Sequence, residues 1–234
     1  MSDESDIAED EIIRSWHVNA EPWTEAVRSQ SIASRKLVTD KAIVDAVRSV
    51  DPRRVLDIGC GEGWLARALR GLGVNVFGID VVPALIAEAK RHGGGDFEIH
   101  SYRDFASRRA NFGSFDAAVC NFSLLGRESV ESLLGTVGMC LNAPGYLIVQ
   151  TLHPVAACGS QPYEDGWRAG SWSGFSPDFT DPAPWFFRTL ASWYAMLRRC
   201  GFDVVECREP TVRGATIPSS IIYICSQRST AALV

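Results

Sequence analysis

Short apolar runs and amphipathic stretches alternate along most of the chain. Five apolar runs predict strands at 54–58, 74–80, 96–100, 115–120 and 146–150. Apolar residues at helical spacing predict helices at 39–50 (with Thr39 or Asp40 as its cap), 64–70, 83–92 and 129–141. Strands that alternate with helices build βαβ units, so the pattern predicts a mainly parallel sheet with helices on both faces.

The alternation changes after residue 187. A helical pattern covers 188–200, and two further apolar runs follow at 202–207 and 220–225. Because the connection between these two runs has no helical pattern, we expect an antiparallel hairpin at the edge of the sheet. The predicted fold is therefore α/β: a doubly wound, Rossmann-like sheet of seven strands, mostly parallel, with an antiparallel edge hairpin.

Two segments lie outside the alternation. Residues 1–38 begin with an acidic stretch, expected to fray up to about residue 9, and continue as an apolar helical stripe that Pro22 divides in two. Residues 154–187 have no periodicity but contain eight large aromatic side chains. Disordered segments are poor in aromatic residues, so we expect an ordered lid over a ligand. The alternative is a small apolar core beneath a long loop.

Charge and cysteine content limit the function. A net charge of −5 and a pI near 5.4 argue against a broad basic surface for nucleic acid. No apolar stretch reaches the roughly 20 residues of a membrane-spanning helix. The seven cysteines and four histidines show no metal-ligand spacing, so we predict no metal and reduced thiols in a cytoplasmic protein.

The strongest chemical signal is a glycine loop between the first strand and its helix. Gly59, Gly61 and Gly63 allow a ligand to approach the backbone closely. Asp80 ends the next strand about twenty residues on, where a carboxylate can accept hydrogen bonds from ribose hydroxyls. Asp57 precedes the loop, where it would repel a pyrophosphate and attract an amino group. The predicted ligand is therefore an adenosine that carries an amino acid.

Several motifs resemble those of the class I S-adenosylmethionine-dependent methyltransferases. Residues 55–63 (VLDIGCGEG) resemble the first motif of that family, and 78–80 resemble its acidic second motif. Residues 115–121 are similar to the fourth-strand motif, and 142–147 to the turn that follows, with Tyr146 in place of a second glycine. The chain is most similar to the small-molecule branch that includes ubiquinone-biosynthesis methyltransferases. The resemblance implies S-adenosyl-L-methionine as cofactor and direct in-line methyl transfer to a small molecule.

The resemblance also assigns residues to the donor. It implies that the methionine part lies along the loop, the ribose at Asp80, adenine against Val81 and the sulfonium near Asn121. Asp104 is an alternative for the acid that the family often places after the third strand. The expected cofactor-binding residues are Asp57, Gly59, Cys60, Gly61, Asp80, Val81, Ser101, Tyr102, Arg103, Asn121 and Phe122.

The acceptor side is less specified. His153 follows the fifth strand, where it could act as a general base or could shape the turn before Pro154. Aromatic walls favour a planar or apolar acceptor, and the acidic charge disfavours nucleic acid. A cover over cofactor and substrate is expected from Trp16, Asn19, Trp23, Arg35, Trp167 and Trp172.

We therefore expect a single methyltransferase domain over residues 1–234. It divides into an acidic tail and helical cover (1–38), a cofactor-binding core (39–153), a lid insertion (154–187) and a C-terminal helix with edge strands (188–234). Two alternatives remain open at this point. One is an NAD(P)-dependent oxidoreductase, and the other is a non-catalytic S-adenosylmethionine-binding partner or sensor.

Overall fold

The computed structural model describes residues 2–108 and 112–228. Its strands are β1 (Arg54–Ile58), β2 (Asn75–Asp80), β3 (Asp96–Ile99), β4 (Phe115–Asn121), β5 (Leu141–Leu152), β6 (Gly166–Arg168), β7 (Trp185–Phe187), β8 (Phe202–Arg208) and β9 (Ser220–Gln227). Its α-helices are α1 (Ser2–Val18), α2 (Ala20–Arg28), α3 (Asp40–Arg48), α4 (Trp64–Arg70), α5 (Pro83–His92), α6 (Tyr102–Arg108), α7 (Glu128–Val137), α8 (Pro154–Cys158) and α9 (Leu190–Arg199).

Seven strands form one sheet in the order β3-β2-β1-β4-β5-β9-β8. The first five run parallel, whereas β9 pairs antiparallel with both β5 and β8. The predicted seven-stranded Rossmann-like sheet and its antiparallel edge hairpin are thereby confirmed, and β8 is the outermost strand of that hairpin. The strand order reverses between β1 and β4, and ligands of open α/β sheets bind at such a point, beyond the carboxyl ends of the strands.

Helices bury both faces of the sheet. On one face, Ile43 of α3, Leu65 of α4 and Ile86 of α5 form one core. On the other face, Phe105 of α6 and Leu133 of α7 belong to a second core, together with residues of α9. Each fully buried aliphatic side chain stabilises such a core by about 1.5–3 kcal/mol, so the sheet is held rigidly from both sides. A rigid sheet fixes the loops at its carboxyl edge.

The N-terminal prediction was partly wrong. Helix α1 begins at Ser2, so the predicted acidic tail is helical in its described part, and Met1 lies outside the described residues. The chain divides at Asn19 rather than at Pro22, which occupies the first turn of α2. Proline is tolerated there because the first backbone N–H groups of a helix have no intrahelical partner.

Three other expectations also need correction. Residues 102–108 form α6, a helix that is missing from the predicted elements. Within the lid, β6 and β7 form a short antiparallel hairpin despite the missing periodicity. No side-chain cap begins α3, because a π-helical turn at Arg35–Thr39 runs directly into it. In the part of the chain that the structure describes, no helix has both the length and the apolar character needed to cross a bilayer.

Candidate functional site

The glycine loop adopts backbone conformations that only glycine tolerates easily. Gly59 has φ +73°, and a Cβ added there would lie 2.4 Å from the Cβ of Ser123. Gly63 has φ +81°, and its Cβ would meet Ala89 at 3.0 Å. Gly61 differs, since its nearest neighbour would be Trp23 Nε1 at 3.7 Å. The outer glycines are thus required by packing, whereas Gly61 leaves open space above the backbone for a ligand.

Asp80 fixes this loop from the end of β2. Its carboxylate accepts hydrogen bonds from the backbone N–H groups of Gly61 and Val82, both at 2.9 Å. Burial raises the pKa of Asp80, an effect that these backbone hydrogen bonds oppose. Each carboxylate oxygen retains a second lone pair, so Asp80 can hold the loop and still accept hydrogen bonds from a bound diol.

A cavity of about 250 Å³, here called the loop cavity, lies over the glycine loop. Ten of the eleven predicted cofactor-binding residues line it: Gly59, Cys60, Gly61, Asp80, Val81, Ser101, Tyr102, Arg103, Asn121 and Phe122. The topology explains this convergence, because all ten lie at or just after the carboxyl ends of β1, β2, β3 and β4. The carboxylate of Asp104 instead bonds the hydroxyl of Ser101 at 2.8 Å, outside the cavity lining.

Asp57 is the exception, because it does not line the cavity. Its side chain is buried within the sheet, only 1% exposed, and Oδ2 has no hydrogen-bond partner. Burial is the main cause that raises the pKa of Asp57 to about 7, and the nearby charge of Asp80 adds to it. Asp57 can therefore act on a ligand only through its electric field, and only when it is ionised.

The turn after β4 is held in an unusual conformation. Phe122 has φ +54°, which is strained for a residue with a side chain. The turn is fixed on both sides: Ser123 Oγ donates to the carbonyl of Ile58 at 2.7 Å, and Tyr102 Oη donates to the carbonyl of Ser123 at 2.8 Å. Beside it, Asn121 Oδ1 is buried without a partner. The two hydrogen bonds of Ser123 hold the turn in this strained conformation, and the turn forms one wall of the loop cavity.

Helix α1 closes the loop cavity from above. The cavity is lined there by Glu9, Asp10, Ile12 and Ile13, none of which was predicted as a site residue. Glu9 Oε1 accepts hydrogen bonds from the backbone N–H groups at the start of α7, at 3.1 and 3.0 Å. A carboxylate is stabilised at a helix N-terminus, which anchors α1 here. The apolar stripe of α1 was the available signal, but it did not indicate which cavity the stripe covers.

A second cavity of about 290 Å³, the lid cavity, adjoins the first. Both cavities are lined by Trp16, Trp23, Arg35, Phe122 and Leu125. The remaining walls of the lid cavity come mainly from the insertion and include Trp172, Phe175, Trp185 and Phe186. The insertion is tied to the turn after β4, since Phe186 N–H donates to the carbonyl of Leu125 at 2.7 Å.

The predicted cover residues divide into three groups. Trp16, Trp23 and Arg35 line both cavities, and Trp172 lines the lid cavity. Asn19 lines neither cavity but connects the lid to the N-terminal helices. Its amide donates to the carbonyl of Thr180 at 2.7 Å and accepts from the N–H of Thr180 at 2.9 Å. Trp167 also lies outside both linings and packs edge-on against Phe186 instead.

His153 is buried and lies behind the lining of both cavities. Its Nδ1 accepts the N–H of Val155 at 3.2 Å, which caps α8. Nε2 lies 2.8 Å from a carboxylate oxygen of Glu209, and a neutral ring with Nδ1 as acceptor carries its proton on Nε2. Neither nitrogen has a lone pair directed at a cavity, so the geometry favours turn-shaping over general-base catalysis.

Arg35 lies where the two cavities meet. Its Nε donates to the carboxylate of Asp40 at 3.0 Å, and its guanidinium lies 4.7 Å from the ring centroid of Trp64 and 5.5 Å from that of Trp23. Its Nη2 is buried without an acceptor. This nitrogen can donate to an anionic group of a ligand in either cavity. Among the described residues, no cluster of ligating side chains could hold a metal ion.

Comparisons with known proteins agree on one family. The model of a family described as "Methyltransferase domain" matches residues 34–207. The ubiquinone biosynthesis O-methyltransferase of Xanthomonas oryzae pv. oryzae strain PXO99A is 33% identical over 109 residues, which are 44% of this chain and 45% of the relative. That of Xanthomonas campestris pv. campestris strain B100 is 36% identical over 112 residues, with the same coverage. The chain thus spans about half the length of these curated relatives.

Solved structures share the fold at low identity. The 1,6-didemethyltoxoflavin-N1-methyltransferase of Burkholderia thailandensis was solved with bound 1,6-didemethyltoxoflavin and S-adenosylhomocysteine. It superposes with a TM-score of 0.67 at 15% identity, covering 96% of this chain and 91% of that one. Magnesium protoporphyrin IX methyltransferase of Synechocystis PCC 6803 superposes with a TM-score of 0.63 at 17% identity, covering 93% and 99%. These likenesses show a common fold.

Proposed function

This chain belongs to the methyltransferase-domain family, as its motifs indicated, and we propose from that premise that it moves a methyl group from S-adenosyl-L-methionine to a planar or apolar small molecule. The observation that carries the proposal is the pair of adjoining cavities. One lies on the glycine loop, the other lies under the aromatic lid, and both are lined by Phe122 and Leu125. A donor in the first cavity would meet an acceptor in the second at this junction.

The polar groups that line the loop cavity match the polar groups of S-adenosylmethionine, the proposed methyl donor. Asp80 has lone pairs for the ribose hydroxyls, and Gly61 leaves the backbone accessible. Two buried orphan atoms add to the fit, because Arg35 Nη2 can donate to the donor's carboxylate and Asn121 Oδ1 can accept from its amino group. Asp57 would favour the same amino group through its field from below the loop. S-adenosylmethionine, when bound, supplies a methyl group already activated on a sulfonium.

The protein's contribution to transfer is mainly alignment. Direct in-line displacement needs the acceptor atom, methyl carbon and sulfur in one line, which adjoining preformed cavities favour. The apolar walls exclude water, so the donor does not react with solvent. We assign His153 to positioning of α8, since both ring nitrogens are engaged. The proposed reaction class is a methyltransferase of the general type EC 2.1.1.-.

Family membership weighs against the NAD(P)-dependent oxidoreductase. A non-catalytic binding partner would keep the same cavities and would differ only in having no turnover.

Two further expectations, the cellular location and the substrate class, stay proposals. Cytoplasmic location is supported by the seven cysteines, which all lie within the described ranges and form no disulfide there. A small-molecule rather than a nucleic-acid substrate is supported by the aromatic side chains that line the lid cavity and by the net charge of −5.

The test is a methyl-transfer assay with [methyl-³H]S-adenosylmethionine and a panel of planar hydroxy, amino and carboxylic acceptors. We expect labelled product from at least one acceptor. The Gly59→Ala variant should lose that product, because a Cβ there would collide with Ser123. Gly73→Ala is the matched control, since its Cβ would meet nothing within 4 Å. Donor binding without turnover on any acceptor would favour the non-catalytic alternative.

A further inference from the structure

Arg188 is a buried cation in the wall of the lid cavity. It follows β7 directly and is only 3% exposed. Its guanidinium carbon lies 4.9 Å from the ring centroid of Phe186 and 5.3 Å from that of Trp193, so aromatic rings flank it. It lines the lid cavity but not the loop cavity, unlike Arg35, which lines both.

The hydrogen-bonding capacity of Arg188 is only partly used. Nη2 donates to the carbonyl of Arg127 at 3.1 Å, whereas Nη1 is buried without an acceptor. Within residues 2–108 and 112–228, no carboxylate lies within 4 Å of its guanidinium nitrogens, although Glu9, Glu131 and Asp165 contribute weak attraction from farther away. Burial lowers the pKa of Arg188 to about 10, so it still carries its charge at pH 7.

Two other buried charged side chains among the described residues, Glu62 and Arg35, are ion-paired. Glu62 is fully buried, and its carboxylate meets Arg67 at 2.6 Å and Arg28 at 3.3 Å. Arg35 meets Asp40 at 3.0 Å. A buried cation without an anion is costly, because the lost hydration is not replaced. Functional sites are where such unpaired groups persist, with a ligand as the missing partner.

We propose that the acceptor of this enzyme carries a carboxylate, and that Arg188 binds that carboxylate inside the lid cavity. This inference rests on the proposed function and narrows its substrate class to aromatic or planar carboxylic acids. A guanidinium matches a carboxylate in planarity and in its paired donors. The aromatic walls hold the planar body of the acceptor. Because Arg188 belongs to the lid cavity alone, the carboxylate anchors the acceptor away from the junction where the methyl group arrives.

The test compares matched ligands that differ only in charge. The full chain is saturated with S-adenosylhomocysteine and titrated by calorimetry with benzoate, 2-naphthoate or indole-3-carboxylate. The dissociation constant of each acid is compared with that of the corresponding primary amide. We expect at least one carboxylate to bind tenfold or more tightly than its amide. In Arg188→Gln the affinity ratio of carboxylate to amide should fall to about one. Arg188→Lys should retain part of the preference because the charge remains.

Arg199→Gln is the matched control, because Arg199 lies on α9 nearby but is 63% exposed and outside both cavities. It should keep the wild-type ratio. The proposal is overturned if no carboxylate binds more tightly than its amide to the wild type, a comparison that does not depend on how the variants fold. It is also overturned if the preference survives in Arg188→Gln. Failure of S-adenosylhomocysteine to bind would instead count against the proposed function itself.

Discussion

Replacing Asp57 by Asn should change how stability depends on pH. Burial raises the pKa of Asp57 from 3.8 to about 7. Below pH 4 the carboxyl is neutral in both the folded and the unfolded chain. Between pH 4 and 7 the unfolded chain releases the proton while the folded chain keeps it, so the free energy of unfolding falls as pH rises. Above pH 7 both states are ionised and this slope ends.

The size of the effect follows from the two pKa values. A difference of about 3 pH units, at roughly 1.36 kcal/mol per unit, lowers the free energy of unfolding by about 4 kcal/mol across this window. An asparagine cannot ionise, so Asp57→Asn lacks this loss. The variant's advantage over the wild type should therefore grow by about 4 kcal/mol between pH 4 and pH 7, whatever constant packing difference the substitution adds.

Urea denaturation of both proteins at half-unit pH intervals measures this difference directly. Asp96→Asn, at an exposed position on β3, is the control. The difference between its free energy of unfolding and that of the wild type should vary by no more than about 0.5 kcal/mol across the same pH range. A difference between Asp57→Asn and the wild type that stays flat from pH 4 to 8 would refute the reasoning, because it would show that Asp57 is ionised throughout.

Three further outcomes follow from the geometry. In Gly59→Ala, positive φ and a contact of 2.4 Å with Ser123 should weaken S-adenosylhomocysteine binding at least tenfold by calorimetry, whereas Gly73→Ala (φ +85°) should lose only about 1–2 kcal/mol of stability and bind normally. Asn19→Ala leaves Thr180 without two hydrogen bonds. Urea denaturation should therefore show a loss of about 1–3 kcal/mol in the free energy of unfolding, and trypsin should cleave the lid faster. The control Asn75→Ala loses one exposed hydrogen bond to Arg70 and should show neither change. His153→Ala removes the cap of α8 and should cost about 1 kcal/mol of stability, while kcat should stay within about twofold of the wild-type value. A tenfold loss of kcat at unchanged KM would instead indicate that His153 is the general base.

Much of the fold could be predicted from the sequence because its signals are local. The buried runs of β1, β2 and β4 and the turn at residues 59–63 each depend on a few neighbouring residues, and the structure has them at the expected places. Ten predicted residues meet in the loop cavity for the same reason, since each lies at the carboxyl end of a strand or within a few residues after it.

The parts that could not be predicted depend on contacts between distant segments. Glu9 lines the loop cavity because α1 docks on the start of α7, more than a hundred residues later. Asn19 was expected to touch a ligand, but its amide is used by Thr180. His153 was placed correctly at a strand end, yet Glu209 and Val155 occupy its ring nitrogens. Arg188 carries no local signal, because its isolation is visible only when its surroundings are known.

The central claim is that the loop cavity binds an adenosine carrying a cationic amino acid. Calorimetric titration with S-adenosylhomocysteine, and separately with NAD⁺, tests it most directly. The account predicts saturable one-to-one binding of S-adenosylhomocysteine and none of NAD⁺. Binding of NAD⁺, or no binding of S-adenosylhomocysteine by a folded wild-type chain, would contradict it.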